Sequence, residues 1–345
     1  MIPSPLRLRF AGDALTANWN ALNKLSGAAA CGAAVKANAY GIGVTEVVPR
    51  LIKAGCRDFF VATWQEAAQI ADLTAGSSVS VLNGLLADDI HVALKFGAKP
   101  MINSLEQAQR WKGTGRPCDV MINSGMNRLG IDCRDVITFD WQGLDIDILA
   151  SHLASADEDV AQNSEQLSAF RAIFDHVPHR RKSMANSAGI ALGADYALQL
   201  TRPGLALYGG IQRSELAEVI SSIGSIEARI LQVRRLEAGE KVGYNATFTA
   251  KEQMTIGISA LGYADGYLRG FSGRGELFNE GRSLPVLGRI SMDLVAVDLS
   301  SASNLGEGDW LECPLDLPKL ARQSGLSQYE IITGLGPRSL RIWDS

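Results

Sequence analysis

A lysine closes a run of small apolar residues at Ala33-Ala34-Val35-Lys36, and Ala37-Asn38-Ala39-Tyr40-Gly41-Ile42-Gly43 follows it. An ammonium group is costly to bury in its charged form. Desolvation lowers its pKa and enlarges the neutral fraction, the form that Schiff-base chemistry requires. A lysine at a strand end can equally snorkel its head to solvent, so position alone leaves both roles open. Three further places hold residues of useful chemistry. His152 ends an apolar run just before Ser155 to Glu158, a spacing that predicts a capping box opening the next helix. Arg128 stands at a glycine-punctuated exit after Asn123-Ser124-Gly125-Met126-Asn127. Ser187 opens a Ser-Ala-Gly-Ile segment, and Pro203-Gly204-Leu205 sets a glycine where an anion can approach the main chain. Taken alone, Ser187 reads as readily as a helix cap.

The elements that must position these residues come in a regular order. Apolar runs at 33–36, 59–63, 79–82, 100–102, 119–122, 146–152, 182–185 and 200–207 read as strands, with amphipathic segments such as 64–73 and 105–113 as helices between them. Eight such units predict a (β/α)8 barrel, in which active sites gather at the C-terminal ends of the strands. An open doubly wound sheet is the alternative, weakened because no glycine-rich dinucleotide fingerprint follows the first strand. After Gly210 the texture changes to β-rich runs at 219–233, 253–261, 284–290 and 294–299, separated by glycine and acidic turns. The expectation is therefore an α/β barrel over residues 10–223 followed by a mainly β C-terminal domain over 224–345, to which residues 1–9 add a strand.

Composition sets the outer limits. The 345 residues, 46% of them hydrophobic, suffice for a large core in two domains. A net charge of -4 with scattered Lys and Arg gives no footprint for nucleic acid. The five cysteines lack CxxC spacing, so neither a disulfide framework nor a metal site is expected. The opening Met1-Ile2-Pro3-Ser4-Pro5 is unlike a secretory signal, and no apolar stretch is long enough to cross a bilayer. The expected location is cytoplasmic, with no membrane partner.

Ala34-Val35-Lys36-Ala37-Asn38-Ala39-Tyr40-Gly41 resembles the lysine signature of the alanine racemases, enzymes that depend on pyridoxal 5'-phosphate (PLP). Further segments are similar to that family in the same order, among them 123–130, 151–158, Ala185-Asn186-Ser187, 202–209, 242–248, 262–267 and 288–293. The resemblance implies a racemase that interconverts L- and D-alanine, a source of peptidoglycan precursor, and works as a homodimer whose sites draw on both subunits. It implies that Lys36 carries the cofactor and serves one face of the substrate Cα, while Tyr244 of the partner's β domain serves the other. Arg202 is implied to hydrogen-bond the pyridine nitrogen, and an arginine does not give up its proton at working pH. Tyr40, Ser187, Gly204 and Leu205 are implied at the phosphate, and His152 in a chain of hydrogen bonds linking Tyr244 to Arg202. Arg128 and the backbone N–H of Met292 are implied to hold the substrate carboxylate, and Tyr263 to narrow the entrance.

The pattern departs from the family in three places. Many members carry a lysine seven residues before the substrate-binding arginine, where this chain has Met121; Asn123 or a small anion such as chloride is the expected substitute in orienting Arg128. Ser183 stands where some members have histidine, and Pro337 where several have a phosphate-side tyrosine. Three rival functions stay open on sequence grounds. A serine or broad-specificity racemase would use the same cofactor machinery. A decarboxylase on this architecture would normally set a carboxylate, not Arg202, at the pyridine nitrogen. A PLP-binding protein without turnover would have no need of Tyr244 as a second base.

Overall fold

Short runs of β-branched, aromatic and small residues become strands where both faces of the sheet are covered. In the computed structural model, which describes residues 3–344, the first such series is Ala30–Cys31 with Ala33–Ala34, then Asp58–Val61, Ser78–Val81, Lys99–Ile102, Pro117–Asn123, Asp145–Ala150, Arg181–Ser183 and Leu200–Thr201. Each pairs in parallel with the next. Leu200–Thr201 pairs back onto Ala30–Cys31, while Ala33–Ala34 pairs with Asp58–Val61, so the barrel closes through a first strand in two pieces. The break falls at Gly32, where a Cβ would sit 2.8 Å from the Asp58 carbonyl oxygen and 2.9 Å from the Phe60 ring. Counting the two pieces as one position gives the eight of the sequence reading. The last strand is shorter than expected. Pro203 offers no N–H to a ladder, and the chain turns into a 3-10 segment at Leu205–Tyr208.

The barrel belongs to a unit spanning Leu15–Ile220; the other unit joins the residues up to Ala14 with those from Ser221 onward. In this second unit, antiparallel pairing runs through Gly224–Leu236, Met254–Ser259, Val295–Asp298, Arg282–Leu287, Glu276–Asn279 and Trp310–Pro314. Trp310–Pro314 returns to the first half of Gly224–Leu236, closing a second, antiparallel barrel. Leu6–Ala11 lies between Gly224–Leu236, antiparallel, and Leu340–Asp344, parallel. The fold class is thus an α/β barrel with a mostly β partner unit. Two helices stand where only β texture was read: Leu317–Ser324, capped by the Asp316 side chain, and Gln328–Thr333, opened by a Ser327/Glu330 capping box.

One end of the parallel barrel is plugged by charge. Lys99, Asp58 and Arg181 begin their strands, and Asp119 and Asp147 each stand third in theirs. Lys99 Nζ donates to Asp119, at 3.0 Å, and to Asp147. Arg181 forks onto both oxygens of Asp58, at 2.9 and 2.8 Å, and onto both of Asp147, at 3.1 and 2.8 Å. Burial pushes the Asp147 carboxyl up, but Arg181 and Lys99 outweigh it and bring it down to about 2. Such pairing within a protein interior holds only while each charge keeps its partners.

Candidate active site

Lys36, Arg128, His152, Ser187 and Arg202 all follow strands of the parallel barrel, so they share its C-terminal end, opposite the ionic plug. Their charges act on one another. Burial and then Arg128 hold the Lys36 ammonium below its ordinary value, against a smaller opposing effect of Glu66. His152 is pushed down to about 3 by burial and then by Arg202, Arg128 and Lys36, so it is neutral at working pH. Arg202 is fully buried and brought down to about 10 by that burial, with only Asp119 working the other way. Among the described residues no carboxylate lies within ion-pair distance of Lys36, Arg128 or Arg202. An end of a barrel with three cations and a neutral imidazole is built to receive anions.

Arg202 has neutral partners instead. Its guanidinium donates to the Ser151 carbonyl at 2.7 Å and to the Ser183 hydroxyl, which passes its own proton to the Leu200 carbonyl. Ser183, where a histidine was weighed, is therefore an acceptor for this arginine. The Phe60 ring lies 5.8 Å from the guanidinium carbon. Ser151 in turn donates to the Ile122 carbonyl at 2.9 Å, locking the exits of two strands together. Gln166 fixes the next residues: its Nε2 donates to the His152 carbonyl at 3.0 Å and its Oε1 accepts from the Ala154 N–H at 2.9 Å.

The capping box read at Ser155 to Glu158 does not form. The helix begins at Ala161, after an extended Val160. The side chain of Asn163 donates to the carbonyls of Ser155 and Glu158, at 3.0 and 2.8 Å, and so stabilises a turn where the cap was expected. Asn123 also differs from expectation. It holds the loop, not the Arg128 guanidinium: its Oδ1 accepts from the backbone N–H of Gly125, at 3.2 Å, and of Asn127, at 2.9 Å, and its Nδ2 donates to the Asp132 carboxylate at 2.7 Å. Arg128 itself is exposed on the loop so held.

Behind Lys36 the backbone takes an unusual course. Ala37, Asn38, Ala39 and Tyr40 all have φ between 52 and 56°, a full turn of left-handed helix built from L-residues, with Gly41 at 85° closing it. Each such residue costs about 1–2 kcal/mol relative to the right-handed form, so neighbours must hold the turn. Asn38 Oδ1 accepts from the Val44 N–H at 2.8 Å on the far side. On the near side Glu66 Oε1 accepts from the Ala37 N–H at 2.7 Å. The turn ends on Tyr40, buried with its ring centroid 4.9 Å from that of Tyr208, whose hydroxyl donates to the Ala34 carbonyl.

Ser187 and Gly204 meet beside Tyr40. The Ser187 oxygen accepts from the N–H groups of Gly204, at 3.0 Å, and Ala206, at 3.1 Å. Both acceptor positions of the hydroxyl are thereby used, which leaves its proton as the group it can offer. Leu205 is buried between those two amides in sequence. A Cβ at Gly204 would collide with the Tyr40 hydroxyl, so glycine is needed there. The cap of the short helix Ser187–Ala191 is Asn186, whose side chain accepts from Gly189, and Ser187 is left for other work.

Tyr244, Tyr263 and Met292 belong to the other unit. Tyr244 is 65% exposed at the tip of a hairpin joining Lys241–Val242 to Phe248–Thr249, and Met292 is 53% exposed. Tyr263 and Met292 are held together: the Tyr263 N–H donates to Ser291 and the Ala264 N–H to Met292, each at 3.1 Å, and a Cβ on Gly262 would strike the Met292 carbonyl. Arg269 lies 5.1 Å from the Tyr263 ring centroid. Buried Asp265 accepts from the Gly262 N–H at 2.9 Å and takes a two-pronged hydrogen bond from Arg338, which also pairs with Asp293 at 2.7 Å. The sequence assigned no role to Arg338, just past Pro337, to Ser151, or to Glu66, although Thr63-Trp64-Gln65-Glu66 has capping-box spacing.

Comparison with known proteins shows the family to which the chain belongs. Residues 11–212 match the family described as alanine racemase, N-terminal domain, and residues 223–343 its C-terminal domain. An alanine racemase from Rickettsia akari is 37% identical, with 96% of this chain and 97% of that protein covered. One from Cereibacter sphaeroides is 40% identical, with 95% of each covered. Among solved structures, alanine racemase from Bartonella henselae with covalently bound pyridoxal phosphate superposes with a TM-score of 0.93 at 32% identity, covering 99% of this chain and all of that one.

Proposed function

The chain belongs to the alanine racemase family, isomerases acting on alanine, and from that premise we propose that it interconverts L- and D-alanine by two bases, with PLP carried on Lys36. The observation that carries this reading is the cationic barrel end, where Lys36, Arg128 and Arg202 face no paired carboxylate.

The residues suit the cofactor. A buried arginine with neutral partners can donate to a ring nitrogen without protonating it. The Ser187 hydroxyl has a proton to give to a phosphate, and it is hydrogen-bonded to the Gly204 and Ala206 amides on either side of Leu205, with the Tyr40 hydroxyl close against Gly204. When bound, PLP supplies an electron-withdrawing system that acidifies the Cα–H of the amino acid it carries. Lys36, held below its ordinary pKa by burial, takes or returns a proton on one face of that carbon. Tyr244 does so on the other. Its exposure at a hairpin tip supports a role in the site of a partner subunit, in a homodimer. Arg128 and the Met292 N–H orient the carboxylate, Tyr263 narrows the entrance, and His152, kept neutral, can accept or relay a hydrogen bond without adding charge.

Alanine, rather than serine, is the proposed substrate, and the cytoplasm the proposed location. Among the described residues no helix is long and apolar enough to cross a membrane. The test is the decay of circular dichroism when the protein, loaded with PLP, receives L-alanine or, in parallel, L-serine. Decay with alanine alone is expected. Equal decay with serine would replace the specific reading by a broad racemase, and no decay with either would remove racemisation.

A further inference from the structure

We infer that Glu66 is a positioning residue for Lys36, gripping the left-handed turn on which that lysine is mounted. The proposal rests on the reading of Lys36 given above. A capping-box glutamate ordinarily serves its own helix, and Oε2 of Glu66 does so, accepting from the N–H groups of Ala62 at 2.6 Å and Thr63 at 3.4 Å. Oε1 does something a cap has no need of. It crosses to a segment 29 residues earlier in the chain and accepts from the Ala37 N–H at 2.7 Å.

Ala37 is the residue next to Lys36 and the first of four L-residues in the left-handed region. Asn38 tolerates that region, but Ala37, Ala39 and Tyr40 do not favour it, so the turn persists only where its surroundings over-determine it. Its exit is fixed by Asn38, which accepts from the Val44 N–H through its side chain and from the Gly43 N–H, at 3.0 Å, through its carbonyl. At its entry, Glu66 is the side chain that takes the first amide. By joining this amide to Ala62 and Thr63, just past the end of strand Asp58–Val61, one carboxylate ties the exits of two adjacent strands together. Its charge also acts on Lys36, in the direction that favours the ammonium. Glu66 thus holds the backbone next to the lysine and partly offsets the influences that lower its pKa.

Three variants in the PLP-loaded enzyme separate this role from simple capping. Glu66→Ala removes both grips, Glu66→Gln keeps an acceptor but no charge, and Thr63→Ala weakens the helix cap while leaving Glu66 on Ala37. Amide hydrogen exchange over residues 36–43 should speed up in Glu66→Ala and stay near wild type in Thr63→Ala. The kcat of Glu66→Ala should fall about 100-fold, with KM for alanine within about threefold, as expected when a reacting group is displaced by about an ångström. Thr63→Ala should stay within about twofold. In Glu66→Gln the acidic limb of the kcat profile should move to lower pH, because the influence that raises the Lys36 pKa is gone. Unchanged exchange over 36–43 in Glu66→Ala, or a Thr63→Ala protein that reproduces its losses, overturns the proposal. Should Glu66→Ala fail to fold, an unmoved acidic limb in Glu66→Gln overturns it instead. Borohydride fixation of the cofactor keeps the two readings apart: wild-type protein that is not labelled at Lys36 refutes the Lys36 assignment, whereas the exchange comparison still decides the grip on the turn.

Discussion

The two ends of the parallel barrel use the same kinds of side chain in opposite ways. At the N-terminal ends of the strands, Lys99 and Arg181 meet Asp58, Asp119 and Asp147, and every charge has a partner. At the C-terminal ends, buried Arg202 rests on a hydroxyl and a carbonyl, and Lys36 and His152 are depressed first by burial and then by neighbouring positive groups. The first arrangement spends its electrostatics on holding strands together. The second leaves it for a ligand, at the expense of the ligand-free fold. Stability and function are thus divided between the ends of one element.

The sharpest way to break this comparison is to remove the charge chemistry of the active end altogether. Lys36→Ala should lose more than about 10⁴-fold in racemisation, beyond what a single acid–base group usually contributes, measured by polarimetry with PLP in excess; a loss under tenfold would take Lys36 out of the reaction. Next comes one substitution made at both ends. Arg202→Met should lower activity by about 10²–10³-fold yet raise the stability of the cofactor-free chain by about 1–2 kcal/mol, since an arginine with no carboxylate partner is no longer buried. Arg181→Met should cost about 3 kcal/mol, by stranding Asp58, and leave activity per folded molecule within about twofold. Denaturant melts read both, and shifts of the same sign would show that the ends are not specialised.

A more gradual effect separates the ends by pH. His152 is depressed in the folded chain, so below about 6.5 the unfolded chain binds a proton that the folded one refuses until about 3. Stability should therefore fall as pH falls through that window, by up to about 1.4 kcal/mol per pH unit, and His152→Gln should flatten the slope. Asp147, depressed to about 2, contributes stability that is full above the ordinary aspartate range and is lost as pH falls toward 2, so its share of acid unfolding lies lower. The smallest effect is expected at Ser183. Ser183→Ala removes one acceptor from Arg202 and should cost about 1 kcal/mol, with a weaker hold on PLP read by cofactor titration.

Much of this was legible in the residues, but unevenly. The strands of the parallel barrel are short runs buried on both faces, and their apolar texture carries that signal directly. Lys36 stood out because it ends such a run. The left-handed turn did not, because Ala37, Ala39 and Tyr40 have no preference for positive φ, and only the contacts of Glu66 and Asn38 reveal what holds them there. Ser155 to Glu158 failed as a cap because capping depends on what else competes, and the side chain of Asn163 takes the carbonyls of that turn. The helix Leu317–Ser324 had its signature in Asp316 and Pro318, a capping residue and an N-terminal proline. It was passed over because the surrounding β texture set the expectation. Contacts between segments distant in sequence, such as Arg338 with Asp265, leave no periodicity to read.

The strand Leu6–Ala11 has a history as well as a place. During synthesis it leaves the ribosome before either of its partners, because its antiparallel neighbour begins only at Gly224 and its parallel one only at Leu340. At about 5–20 residues per second, the nascent chain carries this segment unpaired for roughly ten seconds or more while the intervening barrel is made. Its sequence alternates Leu6, Leu8 and Phe10 with Arg7 and Arg9. Two arginines on a waiting edge discourage pairing with another nascent chain. In the finished protein the same two close on Glu227, so the charges that guard the strand in its long wait become the clasp that fixes its register.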